Sequence, residues 1–89
     1  MTASDDFDFC IEDVFHLSGR RVPIVVGELR AGRVGRGDEV IVIDANGRGE
    51  ERGVVVGVEL HTKTEDQLGL MIDGISAPLL VPGSIVRAA

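Results

Sequence analysis

The stretch Gly32-Arg33-Val34-Gly35-Arg36-Gly37-Asp38-Glu39-Val40 decides the fold. Three glycines and an Asp-Glu pair stand directly before the apolar run Val40-Ile41-Val42-Ile43, and a second run, Val22-Pro23-Ile24-Val25-Val26-Gly27-Glu28-Leu29, lies just upstream. Glycine at these intervals lets the backbone turn sharply and adopt positive φ. The β-branched residues on either side favour a pleated, half-buried surface. The segment is therefore two strands joined by a tight glycine corner.

Working outward, period-two signals continue in both directions. Phe7, Phe9 and Ile11 share one parity and Asp8, Cys10 and Glu12 the other, which predicts a strand from Phe7 to Val14. The parity breaks at Asp13-Val14-Phe15, the mark of a bulge or bend. Leu17-Ser18-Gly19-Arg20 is a turn, and a second strand spans Val22 to Leu29 with Pro23 at its start. Beyond the corner comes a strand from Glu39 to Ile43, then the hairpin signal Asp44-Ala45-Asn46-Gly47. The longest strand covers Arg52 to His61. Val54, Val56, Val58 and Leu60 share one parity there, and Val55, Gly57, Glu59 and His61 the other. A polar turn at 62–66 leads to a strand from Gln67 to Ile72. The stretch 77–84, with Pro78, Pro82 and Gly83, precedes a short last strand at Ile85-Val86. No helix is predicted. Six or seven short strands with glycine turns predict an all-β fold, a small closed antiparallel β-barrel. Residues 1–6 read as a loose acidic lead-in and 7–89 as a single domain.

Composition narrows function mainly by exclusion. With 89 residues, 44% apolar and 27% charged, the chain is long enough for one small core. Its three aromatics are all Phe, so Val, Ile and Leu must build that core. Net charge is −6, and there is no Trp or Tyr. Both facts argue against unaided nucleic-acid binding, which needs a basic face or stacking platforms. No apolar run reaches membrane-spanning length, and the N-terminus has no signal-peptide pattern, so the expected location is the cytoplasm. Cys10 has no partner cysteine in the chain, and the acids on its face disfavour a thiolate. Lys63, the single lysine, follows no glycine-rich loop, so no phosphate-binding loop exists and GTP binding is not expected.

Glu12 and Asp13 form an adjacent carboxylate pair, and Glu59 and His61 share a strand face. Neighbouring strand residues point oppositely, so Glu12 and Asp13 can share a site only through the bulge. His16, Glu59 and His61 lack the spacing of a zinc site. No nucleophile with a paired His and acid can be assembled. The expectation is a protein that is not an enzyme and carries no metal or cofactor.

Three ordered segments resemble domain 2 of translation GTPases, elongation factor Tu above all. They are Phe9-Cys10-Ile11-Glu12-Asp13-Val14-Phe15 with Ser18-Gly19-Arg20; Val26-Gly27-Glu28-Leu29 with Gly32-Arg33-Val34 and Gly37-Asp38-Glu39-Val40; and Gly57-Val58-Glu59-Leu60 with 67–74 and 82–86. The resemblance implies a barrel of six or seven strands. In that family the barrel helps hold the aminoacylated 3′ end of transfer RNA. By position the resemblance would assign Glu12, Asp13, Glu59 and Met71 to that pocket. The chain departs from the family in having no GTP-binding domain, in Pro23 and one extra residue before Gly27, and in a shorter loop between Glu59 and Gly69.

One further expectation comes from the residues alone. Ile24-Val25-Val26 and Val40-Ile41-Val42-Ile43 are apolar on both parities, but a small barrel's interior accepts only one. Ile24, Val26, Ile41 and Ile43 are therefore candidate interface residues, since contiguous exposed apolar surface marks an interaction site. The function expected is a non-catalytic, stand-alone binding module that contacts a protein partner or a second copy in a homodimer, with a link to translation. The alternative is a pocket for a small ligand or an aminoacyl-tRNA end.

Overall fold

The computed structural model describes residues 3–16, 18–19, 21–59 and 67–89. Leu60, His61 and Lys63, together with Leu17 and Arg20, lie outside these. Among the described residues six strands form a single antiparallel sheet: β1 (Asp8–Phe15), β2 (Ile24–Ala31), β3 (Glu39–Ile43), β4 (Glu50–Glu59), β5 (Gln67–Asp73) and β6 (Ile85–Ala88). The pairing order is β1-β2-β5-β4-β3-β6, and β6 pairs back onto β1, so the hydrogen-bonded strands close into a ring. Among the described residues there is no α-helix; one 3₁₀ turn covers Ala77–Leu79. Among the described residues no helix is long and apolar enough to cross a membrane.

The glycine corner forms as its sequence requires. Gly32 and Gly37 have φ of 77° and 91°. A Cβ on Gly32 would stand 2.5 Å from the Phe7 backbone, so chain crossing as well as φ demands glycine. Asp38 is buried, and its Oδ2 accepts the Gly35 N–H at 2.7 Å. The corner is then stapled to β4: the Gly37 N–H donates to the Val55 carbonyl at 2.7 Å, and the Val55 N–H donates to the Asp38 carbonyl at 2.9 Å. On its other side Ser4 Oγ accepts the Arg33 N–H at 2.7 Å, and Ala3 is buried. The described part of the N-terminal lead-in is thus attached to the corner.

The ring interior holds Phe9, Ile11, Val25, Val40, Val42, Val55, Leu70, Ile72 and Val86, with Ala3, Phe7, Leu79 and Leu80 in the same cluster. Alternation identifies β4 as a strand but does not say which of its parities is buried. Val55 is fully buried, whereas Val54, Val56 and Val58 are 39%, 38% and 37% exposed. A register shift between Val55 and Gly57 explains part of this. Val56 is an extra residue in the strand, so Val56 and Gly57 together oppose Met71. A second shift, between Ile11 and Asp13, leaves Glu12 as the bulged residue of β1.

Candidate functional site

The register lines up residues from four strands that are distant in sequence. Phe15 pairs with Ile24, Ile24 with Met71, and Met71 with Gly57. Directly opposed residues of a sheet project to the same side. Val25, Leu70 and Ile72 point into the core, so Ile24 and Met71, one position along, belong to the outer face. The row Phe15–Ile24–Met71–Gly57 therefore crosses the outside of β1, β2, β5 and β4, and it continues along β4 into exposed Val56 and Val54. Two residues along each of these strands lies a second outer row, Asp13–Val26–Gly69–Glu59.

Two glycines let the apolar side chains lie flat. A Cβ on Gly69 would come within 3.1 Å of Ile24 Cγ2, so the Ile24 side chain occupies the space above Gly69. The Met71 Cε sits over Gly57 in the same way. Ile24 is consequently only 5% exposed although it is on the outer side, while Phe15 at the end of the row is 48% exposed.

The other sequence-predicted residues are distributed as follows. The bulge leaves both Glu12 and Asp13 exposed. Gln67 Nε2 donates to Glu12 Oε1 at 3.4 Å, reaching across β2, and Asp13 Oδ1 accepts the Val14 N–H at 2.9 Å. Glu59 and Met71 are half-buried. Asp13 and Glu59 share one row, but three strand spacings separate them, roughly 14 Å along the sheet. That is well beyond the span of two carboxylates acting on one bond, roughly 5–10 Å. The pair can flank a ligand of some length and cannot serve as an acid-base dyad. Among the described residues, no group of three or more His, Cys, Asp or Glu is placed to hold a metal.

Val26, Ile41 and Ile43 are half-buried. Ile41 is paired with Arg52 on one side and Arg87 on the other, whose aliphatic stems are long enough to cover an apolar neighbour. Ile43 lies between Glu50 and Ile85. The more open apolar residues are Phe15, Val54, Val56, Val58 and Val81. Sequence reasoning missed the grouping of Phe15, Val54 and Val56 along the outer row, because it depends on cross-strand register. Its available signals were the glycines at 57 and 69, each breaking an apolar run.

A separate concavity of about 420 Å³ lies where the end of β1 and the β1–β2 loop meet the 75–82 segment. Val14, His16, Arg21, Pro23, Ile75, Ala77, Leu80, Val81 and Pro82 line it. Ser76, between the lining residues Ile75 and Ala77, is held by a polar clasp: Glu51 Oε1 accepts the Ser76 N–H and Oε2 the Ser76 hydroxyl, each at 2.7 Å. These two bonds, the backbone one foremost, hold the Glu51 carboxyl below its ordinary pKa. No protein-family model matches the chain.

Proposed function

We propose that this protein is a non-catalytic binding module built on a β-barrel like that of domain 2 of translation GTPases, and that it contacts a protein partner through the outer face of β1, β2, β5 and β4. The observation that carries the reading is the apolar row Phe15–Ile24–Met71, continuing into Val56. It is a shelf laid over glycines rather than a cleft, and flat apolar surface bordered by polar residues suits a protein surface. A sheet closed into a ring has no free edge, so a partner must engage side chains rather than add a strand. The absence of any catalytic constellation among the described residues is compatible with this reading but does not carry it.

The test is association with and without that face. Light scattering and co-sedimentation with ribosomes are measured for the wild type and for Phe15→Glu/Val56→Glu. The proposal expects a complex, with a partner or with a second copy, that the double variant loses. A monomer that engages nothing, or a complex indifferent to both substitutions, refutes it.

A second reading is supported by the row Asp13–Val26–Gly69–Glu59, which places two carboxylates either side of an apolar strip with Met71 in the adjoining row. Such a frame fits an elongated ligand bearing an amine, such as an aminoacyl-adenosine. Titration with a non-hydrolysable aminoacyl-adenosine analogue tests it: chemical-shift changes confined to Asp13, Glu59 and Met71 would support this alternative, and their absence would remove it.

A further inference from the structure

The concavity at the end of β1 differs from the rest of the surface in its charge. The chain carries 15 acidic residues against 9 Lys and Arg. Yet among the described residues the lining holds two basic side chains, His16 and Arg21, and no acidic one. Asp13 spends one carboxylate oxygen on the N–H of the lining residue Val14, and both oxygens of Glu51 are committed to Ser76. His16 and Arg21 are exposed on the β1–β2 loop, and neither has an ion pair or hydrogen bond to another described residue. The rest of the lining is apolar, with Val14, Ile75, Leu80 and Val81 beside Pro23 and Pro82. Leu80 is buried at the base, and Val81 is exposed on the wall.

The volume falls in the range of small-molecule sites, roughly 300–1,000 Å³. Apolar walls with a few convergent polar groups on one side are the usual make-up of such a site. An occupant matched to this one has an apolar tail against Leu80, Val81 and Ile75 and one anionic head toward Arg21 and His16. A guanidinium favours a planar carboxylate, to which it donates two parallel hydrogen bonds. We propose that this concavity is a binding site for a small apolar carboxylate, a medium-chain acyl acid. The site shares no lining residue with the outer row Phe15–Ile24–Met71, so it goes beyond the reading above and does not depend on it.

The prolines give the site a fixed shape. Pro23 and Pro82, both in the lining, have φ locked by their rings. The base is anchored through the Glu51–Ser76 clasp and through hydrogen bonds from the Leu79 and Leu80 N–H groups to the Ser76 and Ala77 carbonyls, at 3.0 and 3.1 Å. Preformed walls reduce the ordering cost of binding.

The experiment is an amide chemical-shift titration of the whole chain with octanoate, with octanamide as its neutral counterpart and acetate as the head group alone. Octanoate is expected to shift Val14, His16, Arg21, Leu80 and Val81 saturably. Octanamide is expected to bind about tenfold more weakly and acetate not measurably, since one charge-assisted contact is worth at least that factor. Arg21→Gln should weaken octanoate by about tenfold while leaving octanamide unchanged. Val81→Glu should abolish octanoate binding by placing an acid in the wall. Both positions are exposed, and unchanged spectra away from the site confirm the fold. Equal binding of octanoate and octanamide, shifts scattered over the surface, or indifference to Arg21→Gln would each overturn the assignment.

Discussion

Glu51 and Ser76 hold each other through two hydrogen bonds of 2.7 Å, the serine donating from its backbone N–H and its hydroxyl to the two oxygens of one carboxylate. Ser76 is the residue before the 3₁₀ turn Ala77–Leu79, whose Leu79, together with Leu80, is buried in the core cluster. The side chain at the start of β4 therefore fixes the segment that joins β5 to β6. The acid-base consequence has a definite sign. The folded-state pKa of Glu51 is lowered from 4.5, so the clasp stabilises the fold above that value and the contribution is lost as pH falls through the lowered folded pKa. Urea midpoints of wild type and Glu51→Gln should therefore differ most near neutrality and converge as the pH falls below 4.5 and through the lowered folded pKa. A difference that is constant across pH would show that the carboxylate's charge contributes nothing there.

Gly27 and Gly57 should respond differently to alanine. A Cβ on Gly27 would overlap the Cys10 carbonyl and reach the Phe9 ring at 3.0 Å, both in well-packed parts of β1. Backbone cannot move away there, and Gly27→Ala should cost about 3 kcal/mol in chemical denaturation. A Cβ on Gly57 meets only Met71, its Cε nearest, the far end of a flexible side chain. Gly57→Ala should cost less than about 1 kcal/mol, since methionine can change rotamer. It should instead displace Met71 and alter the outer row. Equal losses at the two sites would contradict the placement of Met71 over Gly57.

Asp38 tests the glycine corner. Its buried carboxylate accepts the Gly35 N–H at 2.7 Å, and Asp38→Ala leaves that donor without a partner. The expected loss is about 1–2 kcal/mol by urea denaturation. Hydrogen exchange should quicken at Gly37 and Val55, the two amides that staple the corner to β4. Unchanged exchange at both would mean that the corner is held by its backbone alone.

The corner and the bulges show what the sequence can express about this fold. Gly32, Gly37 and Gly47 take the positive φ that their turn contexts require, because the requirement is local. The parity break read at Asp13-Val14-Phe15 appears one residue earlier, as the register shift around Glu12, for the same reason. The inward face of β4 was not legible. Val54 to Val58 is apolar at both parities, and the extra residue Val56 moves the alternation by one. The outer row was hidden for a different reason. Phe15, Ile24, Met71 and Gly57 become neighbours only when β5 inserts between β2 and β4. No local pattern encodes that pairing.

Association separates the two apolar outer regions. Val40 and Val42 fill the interior, and Ile41 and Ile43 face outward but are half-buried, Ile41 between the stems of Arg52 and Arg87. Phe15 and Val56 carry more open surface, 48% and 38% exposed. Apolar area left in water costs roughly 25 cal/mol per Å², so the open region gains more from being covered. Phe15→Glu/Val56→Glu should abolish any dimer or hetero-complex seen by light scattering, with thermal stability nearly unchanged. Ile41→Asp should do the reverse, lowering stability by about 1–3 kcal/mol through a poorly solvated carboxylate while association persists in the folded fraction. If Ile41→Asp instead yields a stable monomer and the double variant still associates, the contact surface is the β3 side of the ring and the assignment to β1, β2, β5 and β4 is wrong.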